Sequence, residues 1–263
     1  MIGAIAERIA IAWVNVAVLQ AGLWFIARRT KNAGIVDVGW ALAFSLVATI
    51  YAFGTTAPAA GWLPISLVVM LWSARLGVYL LWRGAATGPE EGRYSELRRR
   101  WQPNADRGFF ALFQAQAALT AVLSIAFVVP FIEAPWDGGL LRALAIVIAV
   151  AGIAGESVAD LQLARWKRDP ANRGMVCDVG LWGYSRHPNY FFEWCVWLGF
   201  AVYSLAFHGG WIALLAQAII FASIFGVTGI PPTENQAIRS KGDAYRAYQA
   251  RVSKFVPRPP KRA

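Results

Sequence analysis

The stretch GLWGYSRHPNYFFEWCVWLGFAVYSLAF, Gly180–Phe207, decides how the rest of the chain is read. Its second half is an apolar run, its first half is polar and aromatic, and Glu193 lies one turn inside the run. A carboxylate in hydrocarbon costs about 3 kcal/mol or more unless it faces a partner or a wet cavity. Pro188 suits the first turn of a helix, where its missing N–H costs nothing. Glu193 follows Asn189 by four residues and Arg186 by seven, so the three share one helical face. The backbone N–H groups of Asn189, Tyr190 and Phe191 at such a helix start favour an anion. The junction reads as a ligand site. Phosphates lie outside beside Arg186, and a polar ring reaches inward to Glu193. Tyr184 and Tyr190 add aromatic faces and hydroxyls.

Outward from this stretch, composition sets the environment. The 263 residues are 57% hydrophobic and only 15% charged, more apolar surface than a soluble fold buries. Crossing a hydrocarbon layer of roughly 30 Å takes about 20 apolar residues. Seven runs qualify, at about 5–27, 33–54, 62–83, 109–132, 138–159, 189–207 and 210–230. The first lacks a cleavage site and reads as a retained helix. Short polar links (GTTAPAAG, EAPWDGG, HGG) alternate with basic ones, and of the 25 Lys and Arg only Arg8 and Arg142 fall near the sparse side. The positive-inside rule then puts the N-terminus outside and the C-terminus in the cytoplasm. An all-α, multi-pass protein of a bacterial inner membrane is the expectation. Basic loops beside anionic headgroups account for the net charge of +10, and no basic soluble domain is left to hold nucleic acid. Two histidines, His187 and His208, on opposite sides of the membrane build no metal site. Among nucleotide and nucleophile motifs, the P-loop, GxGxxG and GxSxG are all absent.

The charges within or beside spans gather at the cytoplasmic ends: Asp37, Arg75, Arg83, Glu156, Asp160, Glu193, Glu234 and Asn235. One inward-opening cavity would collect them. Plainer readings stand beside this one. Asp37 caps a helix or pairs with Lys31; Arg83 snorkels; Arg75, on nearly the same face as Tyr79, either snorkels or functions. Glu156 and Asp160, four apart, form an ion-pair cluster or part of the site. The tail TENQAIRSKGDAYRAYQARVSKFVPRPP spaces Arg239, Tyr245, Tyr248, Arg251 and Phe255 as one amphipathic helix ended by Pro257, a membrane-surface element or a cover over the cavity.

The motifs GLWGYSRHPNYFFEW and ENQAIRSKGDAYRAYQARVSKFVP resemble the bacterial branch of the steroid 5α-reductase family. NAGIVDVGWALAF and EEGRYSELRRRW extend the likeness over the whole chain. The RHPxY core is shared with sterol reductases and isoprenylcysteine carboxyl methyltransferases. The resemblance implies a single seven-helix membrane domain, 1–263. Helices 1–4 (1–135) lie on the substrate side; helices 5–7 and the tail (136–263) bind NADPH. Motif against motif, the family's cofactor residues fall on Asp160, Tyr184, Asn189 and Glu193. Phosphate contacts come from among Arg165, Lys167, Arg186 and Arg239, with Glu234 and Asn235 after the seventh helix. Arg75, Tyr79, His187, Tyr190 and Tyr245 complete the expected cofactor set. The family's second-helix acid has only Asp37 as counterpart, and its third-helix tyrosine is replaced near Trp72, with Tyr79 a later turn.

The expected reaction is hydride transfer from NADPH to the β-carbon of an enone in a steroid-like lipid entering from the bilayer. An acid hydrogen-bonded to the carbonyl oxygen stabilises the enolate. Asp37 is the first candidate for that acid, with Glu90 and Glu91 behind it. The rivals are an S-adenosylmethionine-dependent methyltransferase and a non-enzymatic membrane protein.

Overall fold

The computed structural model describes residues 1–227 and 229–261. Among the described residues all regular structure is helical. Six segments combine the length and apolar composition needed to cross a membrane: Ile2–Thr30, Ile35–Ala52, Ala59–Trp82, Ala105–Ala126, Leu140–Arg168 and Gly210–Lys241. The run expected at 189–207 forms a helix of 17 residues, Pro188–Ser204, about 25 Å long at 1.5 Å per residue.

The chain divides into two compact units. The first comprises Met1–Gly139 and Ser204–Ala216. Its helices are α1 (Ile2–Thr30), α2 (Ile35–Ala52), α3 (Ala59–Trp82), the short polar α4 (Gly92–Arg100) and α5 (Ala105–Leu123). Helix α2 packs against α1 and α3, and α1 against α5. The centre is aromatic: Phe44 meets Trp72 edge-on at 5.2 Å, and Tyr51 meets Phe131 at 5.5 Å. Such rings bury much area with specific geometry. The buried Tyr51 hydroxyl finds Ser124 Oγ at 2.6 Å, as a polar group in hydrocarbon must. Outward, α1 exposes Ile11, Trp13, Val14 and Val18, the apolar exterior of a lipid-facing helix.

The second unit comprises Leu140–Tyr203 and Gln217–Ala263. Its elements are α6 (Leu140–Arg168), α7 (Pro188–Ser204), the end of α8 (Ala213–Ala222), α9 (Ile230–Lys241) and α10 (Asp243–Arg251). Helices in lipid gain no hydrophobic drive from association and rely on close packing, which small residues permit. Here α6 and α7 meet backbone to backbone. A Cβ added at Gly152 would lie 2.8 Å from Val196 N and 2.9 Å from Phe192 O. Gly152→Ala is therefore expected to pry the helices apart and cost about 1–3 kcal/mol, measured as a lower melting temperature in detergent.

One local expectation is corrected. The tail forms two helices instead of one: Gly242, at φ 53 and ψ −127, breaks it between α9 and α10, and α10 stops at Arg251, before Pro257. Only glycine enters that region without steric cost. Pro231 and Pro232 sit in the first turn of α9, where proline is tolerated.

Candidate functional site

Two polar clusters form, one in each unit. In the first, the linkers before α2 and α4 fold together around carboxylates. Asp37, in the first turn of α2, accepts a hydrogen bond from the Tyr94 hydroxyl at 2.8 Å and one from Arg93. Its partner is thus Arg93, not Lys31. Tyr94 is 4% exposed; burial, then the neighbouring Asp37 carboxylate, push its hydroxyl far above the usual range. It keeps its proton at any physiological pH. The Arg93 guanidinium is bonded also to Glu91 at 2.9 Å. The cluster is a phenol donor held by a carboxyl group with an arginine beside it.

Glu90 and Glu91 do not join it as acids. Glu90 accepts from Arg98 through both oxygens, at 2.7 and 3.0 Å, and from the Ala33 N–H at 2.9 Å. Burial works to raise its pKa, but those bonds outweigh it and hold the carboxyl below its ordinary value. It stays ionised and fastens the loop before α4 to the α1–α2 link. Glu91 is half exposed and lies between Arg93 and Arg83, the latter at 3.9 Å. Arg75 and Tyr79, assigned to the cofactor from sequence, belong to this first unit, with the Arg75 guanidinium 5.5 Å from the Tyr79 ring.

In the second unit, Asp160 near the end of α6 is buried and meets Asn189 Nδ2 at 3.5 Å. Glu193, a turn deeper in α7, accepts from Trp197 Nε1 at 2.8 Å. Glu156 is buried one turn before Asp160 on α6. These acids therefore line facing stretches of two helices that glycine brings together. The expected anion site at the start of α7 is smaller than its sequence promised, because the Phe191 N–H is bonded to the His187 carbonyl at 3.1 Å.

The residues just before α7 face the tail. Arg186 gives its Nε to Glu234 at 2.7 Å and its Nη1 to the carbonyls of Gln249 and Val252 at 3.0 and 2.8 Å. Glu234 also meets His187 Nε2 at 3.3 Å and Gln249 Nε2 at 3.0 Å. Ser185 Oγ donates to the Phe255 carbonyl, and the Tyr248 hydroxyl to that of Trp182. Charged hydrogen bonds of this kind, taken out of water, are strong and directional. Arg186 is thus engaged by the chain itself and clasps the pre-α7 loop to α9 and α10. Tyr245 is buried against Tyr248; burial and nearby Glu234 push its hydroxyl up to about 12. Tyr190 stacks on His187 at 5.5 Å. Tyr184, Arg165, Lys167, Asn235 and Arg239 are exposed in this same unit. The two cysteines, Cys177 and Cys195, are free.

His187 is 2% exposed. Burial lowers its pKa below 6.5, and the bond to Glu234 only partly offsets this. The folded state holds it neutral while the unfolded chain protonates near 6.5, so its contribution is complete above that pH. Stability is expected to fall as pH drops from about 6.5 through the folded-state value. Melting curves of wild type and His187→Gln over pH 5 to 8 check this, the variant losing part of the slope.

Sequence reading missed Tyr94 and Arg93. Both lie in EEGRYSELRRRW, and the available signal was a lone tyrosine beside an arginine in an otherwise polar run.

Several apolar helices of crossing length, with buried acids at their ends, define a multi-pass helical membrane protein. More particularly, the chain belongs to the family described as a protein of unknown function (DUF1295), whose model matches residues 23–252. It is 26% identical over 269 residues to an uncharacterized protein of Schizosaccharomyces pombe, with 90% of this chain and 76% of that protein covered. No solved structure matches.

Proposed function

We propose that the protein is a membrane-embedded, NADPH-dependent reductase of an activated carbon–carbon double bond in a lipophilic, steroid-like substrate. In this reading α7 also crosses, bringing the crossings to seven, the C-terminus is cytoplasmic, and the second unit grips the dinucleotide. The family includes steroid 5α-reductase-like proteins, which supports the reading. The observation that carries it is the Asp37–Tyr94 pair. Reduction of an enone places negative charge on the carbonyl oxygen as hydride reaches the β-carbon, and a proton-bearing donor at that oxygen lowers the barrier. Tyr94 carries such a proton: at rest it donates it to Asp37, and turning the hydroxyl from that carboxyl group to the carbonyl oxygen supplies the bond. Water supplies the proton that reaches the α-carbon. Methyl transfer from S-adenosylmethionine builds no enolate and has no use for this pair.

Asp160 and Asn189 offer an acceptor and an amide to a nicotinamide carboxamide. Arg165, Lys167 and Arg239 are exposed cations in the same unit, of the kind that attract phosphates. The experiment is a thermal-shift titration of the purified protein with NADPH and, separately, S-adenosylmethionine. A ligand at 100 times its Kd stabilises the fold by about 2.7 kcal/mol. Stabilisation by NADPH alone, with NADPH oxidation on adding a 3-oxo-4-ene steroid, is the expected result. Stabilisation by S-adenosylmethionine alone removes the reductase.

A further inference from the structure

We infer that the tail of the second unit forms a binding cavity for a single phosphate group. The cavity has a volume of about 280 Å³, and its lining includes Arg186, Gln249, Arg251, Lys254, Arg258 and Lys261. Five of these six are cations. Among the described residues two carboxylates touch them: Glu234, bonded to Arg186, and Asp178, 3.3 Å from Arg251. Neither lines the cavity, so among the described residues the lining stays in cationic excess.

Like charges held this close repel and destabilise the fold unless an anion sits among them. The backbone keeps them close. The Arg258 N–H donates to the Tyr184 carbonyl and the Lys261 N–H to the Arg251 carbonyl, each at 3.0 Å. The Ser253 carbonyl accepts from the Arg186 N–H at 2.8 Å. Main-chain bonds therefore curl residues 251–261 around the cavity, whatever their side chains are. Arginine forks and lysine ammonium groups together match the oxygens of a phosphate.

Size and surroundings narrow the ligand. Drug-sized molecules occupy pockets of about 300–1,000 Å³, so this cavity suits a phosphate and its nearest waters, not a whole dinucleotide. Its loop is anchored by Phe255, which packs against Phe191 at 5.5 Å, Trp194 at 6.2 Å and Phe225 at 4.9 Å. Lys254 Nζ lies 5.9 Å from the Phe225 ring. Aromatic rings beside cations at the end of an apolar helix mark headgroup level, where the phosphates of anionic lipids lie. The same oxygens come from free phosphate in water. The inference stands whether or not the protein binds NADPH.

The test uses the full chain, delipidated in neutral detergent, with two probes. Inorganic phosphate is titrated at constant ionic strength, and phosphatidylglycerol is added in mixed micelles beside phosphatidylcholine. Each is repeated with the triple variant Lys254→Gln, Arg258→Gln, Lys261→Gln. All three side chains are exposed, and backbone groups place the loop, so the variant keeps its fold, as a melting curve verifies. One probe is expected to bind wild type at least tenfold more tightly than the variant. Phosphatidylglycerol in that role identifies a lipid headgroup; inorganic phosphate identifies a soluble source. Failure of both probes on wild type, or equal affinity in wild type and variant, overturns the inference.

Discussion

Tyr94→Phe is expected to reduce steroid-dependent NADPH oxidation by about 100-fold or more while leaving NADPH affinity within about twofold. Loss of one oxyanion donor costs roughly 10²–10³ in rate in enzymes of known mechanism. The substitution removes one oxygen, from a ring that also packs against Phe109, so the fold around it is retained. Asp37→Asn is expected to lose less, because an amide oxygen still accepts from the phenol, although Arg93 loses its carboxyl partner. The comparison is made by turnover at saturating steroid and by thermal shift with NADPH in the same samples. Equal turnover in wild type and Tyr94→Phe removes the phenol from the mechanism. Asp37 is then a structural partner of Arg93.

Arg186→Ala is expected to be among the most destabilising substitutions outside the apolar core. Arg186 and Glu234 are 10% and 13% exposed, and breaking a buried pair by removing one partner costs about 3–5 kcal/mol. Two backbone carbonyls of the tail lose their donor as well. Glu234→Gln keeps one hydrogen bond to Arg186 and is expected to cost less. The measurement is thermal unfolding of both single variants and the double variant. A double variant less damaged than the sum of the singles identifies the pair as coupled. Additive losses instead assign the effect to the carbonyls.

Much of this was legible in the sequence because its signals are long or local. Apolar runs of about 20 residues announce helices without tertiary information, and Pro188 marked the first turn of α7. Helical spacing also put Asn189 and Glu193 on one face. What could not be read was pairing over distance. Asp37 and Tyr94 are 57 residues apart and Arg186 and Glu234 are 48 apart, and no periodicity links such positions. Arg186 read as a free phosphate ligand because Glu234 lies far along the chain and its other tail partners are main-chain carbonyls, which leave no mark in side-chain identity. Glu90 read as a possible acid because acidity was visible and Arg98, eight residues on, was read only as part of a basic loop. The break at Gly242 was hidden for another reason: amphipathic spacing runs through it, and only the backbone torsion ends the helix.

The clasp on the loop before α7 also orders events during synthesis. Ser185 and Arg186 bond to the carbonyls of Gln249, Val252, Ser253 and Phe255, groups that leave the ribosome more than sixty residues later. Until then the nascent loop has apolar helices on both sides and buried polar atoms without their final partners. A stop between α9 and α10 would leave every apolar segment made and Arg186 still able to reach Glu234, but without the carbonyls of Gln249 and Val252 that complete its bonds.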